Sequence, residues 1–157
     1  MHALWMVVLI SILALTAGAA PMSVERVEGS LALEAAVARR AFAVGESVEL
    51  TLTGRNTGNA ALSVTFTSGQ RFDFIVRRSR GDEVWRWSHD KAFIQVIQTA
   101  TLRPGETLMF REAWDQRDLQ GRRVDPGPYE VIAVFMGRLE GGRGGLALPP
   151  IAFTVTK

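Results

Sequence analysis

Cysteine is absent from the 157 residues. That single absence removes disulfide bonds, thiolate nucleophiles and the common structural zinc sites together. Histidine is scarce as well, with His2 and His89 the only two. Lysine is confined to Lys91 and Lys157, so arginine carries almost all of the positive charge. The 18 basic residues nearly cancel 16 acidic ones, leaving a formal charge of +2. No dense basic stripe is available to follow a phosphate backbone, so nucleic-acid binding is not expected. No Gly-x-Ser-x-Gly elbow and no calcium loop with acids at alternate positions occur. No apolar run approaches the ~20 residues a membrane-spanning helix needs.

What is present is an ordinary globular composition, 47% hydrophobic, long enough for one two-layer core. At the N-terminus, Leu4 to Leu15 is apolar except for Ser11, and Ala17-Gly18-Ala19 has the small-x-small pattern of a cleavage site. These features predict a signal peptide over 1–19, cleaved near Ala19/Ala20, and a secreted or periplasmic protein. Met1-His2-Ala3 supplies no Lys or Arg before the run, so an uncleaved anchor is the alternative and the only membrane association expected. Residues 20–30 are polar without a clear period and read as a flexible lead-in.

From residue 31 to 157 short alternating runs are separated by turn chemistry. Leu31 to Val37 is a candidate first strand, though its alanines make it equally tolerable as a helix. Val48, Leu50 and Leu52 share one strand face, as do Leu62, Val64 and Phe66. Phe72, Phe74 and Val76 lie on one face of the next strand, with Arg71, Asp73 and Arg77 opposite. Ser79 to Asp82 signals a hairpin returning through Val84 to Trp87. Arg103-Pro104-Gly105-Glu106 fits a type II turn leading to Leu108, Phe110 and Trp114 on a common face. Asp125 to Pro128 turns into Tyr129 to Met136, apolar on both faces and so expected to be central. Gly141 to Gly145 reads as a flexible connection, and Ile151, Phe153 and Val155 close the domain. Phe93 to Ile97 has helical spacing but is too short for a stable helix and serves equally as a strand. The pattern predicts an all-β, immunoglobulin-like antiparallel sandwich of seven to eight strands.

Chemistry is sparse. Ser88-His89-Asp90 holds the residue types of a hydrolase triad, but neighbours on an extended chain point apart whereas triad members converge. Asp115 and Asp118 are close together and are expected to cap or solvate a loop. No catalytic residue, metal ligand or cofactor is expected, and the protein is read as a non-enzyme. Trp85 and Trp87 share a strand face with Arg86 opposite, which is compatible with core filling or with an aromatic and arginine-rich contact surface.

A longer pattern carries more. Phe66-Thr67-Ser68-Gly69-Gln70-Arg71-Phe72-Asp73-Phe74 is followed by Gly81 and Val84-Trp85-Arg86-Trp87-Ser88. Phe93, Gln95 and Gln98 come next, then Leu102 to Leu108 and Glu112-Ala113-Trp114. In this order, across roughly Val44 to Phe135, the motifs resemble the BsuPI family, named for an intracellular proteinase inhibitor of a Bacillus. The resemblance implies an immunoglobulin-like sandwich and inhibition of a serine proteinase by binding; it implies no reactive-site motif. The partner is therefore expected to be a protein, a serine protease, met by a monomer. Arg71, Asp73, Trp85, Arg86, Trp87, Ser88 and Phe93 are the candidate contact residues. The alternative is a non-inhibitory interaction module of the cell envelope that binds a protein or a saccharide.

Overall fold

The computed structural model describes residues 19–157, and the expected signal segment up to Gly18 lies outside them. Twelve strands follow one another without a helix among the described residues. They are β1 (Met22–Glu28), β2 (Leu31–Val37), β3 (Ala41–Ala43), β4 (Val48–Asn56), β5 (Leu62–Phe66) and β6 (Phe72–Arg78). The second half holds β7 (Glu83–Arg86), β8 (Gln98–Leu102), β9 (Thr107–Trp114), β10 (Gly127–Phe135), β11 (Leu146–Ala147) and β12 (Ile151–Thr156). One sheet has the order β1-β2-β4-β9; the other runs β3-β12-β10-β6-β7, with β11 on β10. The strands β5 and β8 pair separately. Pairing is antiparallel except for β3 along β12. The result is the β-sandwich that the alternating pattern implies. The count exceeds the expected seven to eight because the short strands β3 and β11 follow no readable period, and β1 and β8 were not anticipated.

The two sheets meet through the residues that alternation assigns to one face. Val48, Leu50 and Leu52 are buried on β4, and Ile151, Phe153 and Val155 on β12. Aromatic rings bridge the layers: Trp114 on β9 packs against Tyr129 on β10 and Phe153 on β12. Phe110 on β9 stacks on Phe72 of β6 with centroids 4.7 Å apart. Tyr129 is wholly enclosed as a ring while its hydroxyl donates to the Asp125 carbonyl at 2.6 Å, tying the Pro-Gly turn to the strand it starts. Burial raises the pKa of that phenol. The predicted type II turn is present, with Glu106 N–H donating to the Arg103 carbonyl and Gly105 at φ +81°.

The flexible lead-in expected over 20–30 is corrected. Residues Met22 to Glu28 form a ladder with β2, from Met22 opposite Val37 to Glu28 opposite Leu31, closed by the two-residue turn Gly29-Ser30. Arg26 interrupts the apolar alternation of Met22 and Val24, which hides the period in the sequence. In the fold Arg26 lies on the inward-leaning side and its guanidinium donates to the Ala147 carbonyl.

Candidate functional site

Between the end of β7 and the start of β8 the chain leaves the sheets. Trp87 to Asp90 form a turn in which His89 N–H donates to the Arg86 carbonyl and Lys91 N–H to the Ser88 carbonyl. Residues 91–97 then run without regular structure, neither helix nor strand. Ile94, Val96 and Ile97 are 63%, 50% and 70% exposed. Apolar side chains at that exposure are ordinary one at a time, but three within four residues form a patch. From Ala92 to Ile97, among the described residues, one main-chain hydrogen bond reaches another segment: Gly69 N–H donates to the Ile94 carbonyl at 2.8 Å.

The ends of this loop are held firmly. Trp87 stacks on Phe72 with centroids 4.2 Å apart, and Phe93 packs against the indole at a tilt, with centroids 5.8 Å apart. The Lys91 ammonium sits 4.7 Å from the Trp87 ring and pairs with Asp90. At the far end, the Arg71 guanidinium lies over the Phe66 ring and donates to Gln98 Oε1 at 2.7 Å, where β8 begins. At the near end, Ser88 is bound through both its N–H and its hydroxyl by the Asp73 carboxylate. Gly69 sits close beneath the loop: a Cβ there would lie 3.1 Å from Ile94 Cγ1, a tight contact that the Ile94 side chain would have to yield to.

The expected contact residues thus separate into three groups. Ser88 and Phe93 belong to the loop; Trp87 and Arg71 support it from below. Asp73 is 3% exposed, so it supports the loop and touches nothing outside. Arg86 bridges Glu83 and Asp73, and the Glu83 hydrogen bond is the main cause of its raised pKa. Trp85 packs on Trp114 and shows an edge to a separate open cleft lined by His89, Asp90, Arg117 and Leu119. Asp115 and Asp118 accept from the main-chain N–H groups of Arg117 and of Gln120 and Arg122, the loop-capping role read from their spacing. The expected contact residues end at Phe93 and do not include Ile94, Val96 and Ile97, which were expected to be helix or strand. An apolar triplet of uncertain period looks like half-buried strand, and only its exposure distinguishes it.

Comparison with known proteins adds the following. Among solved structures the chain is similar to a β-glucosidase from Erythrobacter marinus, at 16% identity and a TM-score of 0.46, over 87% of this chain and 16% of that one. It is similar to a β-glucosidase from Listeria innocua bound to glucose, at 12% identity and TM-score 0.46, over 81% and 16%. The sporulation control protein Spo0M of Bacillus subtilis matches at 16% identity and TM-score 0.45, over 83% of this chain and 51% of that one. The chain therefore spans about a sixth of the β-glucosidases and half of Spo0M. No curated protein matches. A family described as an intracellular proteinase inhibitor, BsuPI, matches residues 35–140. Its description overturns the secreted or periplasmic placement inferred from the N-terminal apolar run. That run lacks the preceding positive charge that marks a signal, and apolarity with small residues alone does not encode export. With more than half of its residues matched in this way, the chain belongs to the BsuPI family of intracellular proteinase inhibitors.

Proposed function

We propose that the protein inhibits a serine proteinase by laying the segment Ser88 to Ile97 in the proteinase's cleft. The observation that carries this reading is a loop without regular structure, apolar and exposed at its middle, whose two ends are fixed to the sandwich. A cleft that binds extended peptides needs free main-chain donors and acceptors, and 92–97 retains nearly all of its own. Pre-fixing the ends lowers the ordering entropy that binding would otherwise cost. Ile94, Val96 and Ile97 suit an apolar specificity pocket, whereas Lys91 is engaged with Trp87 and Asp90 and is poorly placed for a trypsin-like one. The reading includes no catalytic step.

The test is residual activity of subtilisin and of trypsin titrated with the purified protein. Stoichiometric loss of subtilisin activity, with trypsin little affected, is expected. The double substitution Ile94→Asp with Ile97→Asp should weaken inhibition at least 100-fold, about 2.7 kcal/mol, while the melting temperature stays within a degree or two. Full activity of both enzymes at micromolar inhibitor would refute the proposal. In that case the saccharide- or protein-binding alternative gains weight.

A further inference from the structure

Among the described residues, Asp73 is the only acidic one that is buried, and nothing in an inhibitory loop by itself requires a buried carboxylate. It projects from β6 on the side opposite Phe72 and Phe74, the side that alternation assigns to solvent. Its enclosure is therefore made by what covers it. Oδ1 accepts from Phe74 N–H at 2.9 Å and from Ser88 N–H at 3.1 Å. Oδ2 accepts from the Ser88 hydroxyl at 2.5 Å, from Arg86 Nη1 at 3.3 Å and from Gln70 Nε2 at 3.3 Å. One carboxylate thus joins three stretches of chain: the turn before β6, β6 itself, and the near stem of the exposed loop.

The connection extends to the loop's middle. Gln70 N–H donates to Ser68 Oγ, which shapes the turn that presents Gly69 N–H to the Ile94 carbonyl. Asp73 therefore acts at both inner supports of the loop, at Ser88 directly and at Ile94 through Gln70 and Gly69. Charge-assisted bonds of this kind are roughly twice as strong as neutral ones, and enclosure strengthens them further. We infer that Asp73 is a positioning residue that holds the loop in the shape a proteinase binds but cleaves poorly. The inference rests on the inhibitory reading above. In cleavage the proteinase serine displaces the amine of a loop peptide bond to form an acyl-enzyme ester. A stem that cannot open holds that amine beside the ester, so it attacks, re-forms the peptide bond and returns the serine hydroxyl. A loosened stem releases the amine. Asp73 thereby separates an inhibitor from a substrate without touching the enzyme.

The test uses Asp73→Asn, which keeps the shape of the side chain but turns one acceptor oxygen into a donor facing donors. Ser88→Ala is the milder companion, removing one bond and leaving the carboxylate its other partners. With subtilisin, Asp73→Asn is expected to raise the inhibition constant at least tenfold and to be cut within 91–97, as located by mass spectrometry. Ser88→Ala should move both readouts the same way by less. Wild-type inhibition with an uncut loop in Asp73→Asn would overturn the inference, as would cleavage scattered over the whole chain. Should wild type not inhibit at all, the inhibitory reading falls alone. Amide hydrogen exchange then decides on Asp73. Exchange at Gly69 and Ser88 should accelerate at least tenfold in Asp73→Asn while the amides of β10 are unchanged; unaltered exchange at both would overturn the positioning role.

Discussion

Trp114 shows how much one side chain carries. Its ring is fully enclosed, touches Trp85, Tyr129 and Phe153, and its indole N–H donates to the Arg117 carbonyl at 2.8 Å. Replacement by alanine removes an inter-layer bridge and leaves a void the surrounding rings cannot close. Trp114→Ala should cost about 3–5 kcal/mol, read from urea unfolding midpoints. An equally central role falls to Asn56, which stands in the turn-like run Arg55-Asn56-Thr57-Gly58-Asn59. It is wholly buried, donating to the Ala60 and Leu102 carbonyls and accepting from Gly58 N–H. A polar residue at a strand end carries no sign of whether a second chain segment will cover it.

Among the elements, the connection from β3 to β4 is built on charge. The Glu46 carboxylate accepts from Arg39 and from Ala43 N–H, and the Arg39 hydrogen bond is the main reason its pKa lies below the ordinary 4.5. A carboxylate lowered by folding stabilises the native state above its unfolded pKa, and that contribution is lost as pH falls through the folded value. The stability gap between wild type and Glu46→Gln should thus be present at pH 7, start to shrink below about 4.5, and close at more acidic pH. Urea midpoints measured along that series check it; a gap that widens on acidification would contradict it. Behind this turn, buried Gln116 donates to the Ala43 and Glu46 carbonyls and accepts from Gly45 N–H. It does so at φ +60°, a backbone state that a non-glycine residue holds only when its surroundings fix it.

At the scale of the whole molecule, β1 tests how the sandwich is completed. It covers the outer edge of β2, and Met22 and Val24 pack against the core. A chain starting at Ser30 should lose on the order of 2 kcal/mol from that apolar area and expose the edge of β2 to self-association. Thermal unfolding and light scattering together would show it. Unchanged stability would mean that β1 is an accessory strand.

What the sequence determined by itself was the set of strand faces. Alternation at Val48-Leu50-Leu52, Phe72-Phe74-Val76 and Ile151-Phe153-Val155 depends only on the two-residue period of a strand, so it survives without knowledge of partners. The turn at Pro104-Gly105 was legible for the same local reason, whereas the motif order from Phe66 to Trp114 was legible only through its resemblance to a known family. Tertiary structure alone decided the rest. The hairpin role of β1, the enclosure of Asn56 and Asp73, and the exposure of Ile94, Val96 and Ile97 each depend on which distant segment lies above them. Burial is a property of pairs of segments, and a single chain position does not carry it. For Asp73 the consequence is largest: its strand position points to solvent, and only the arrival of Ser88, Arg86 and Gln70 makes it the buried support of the loop.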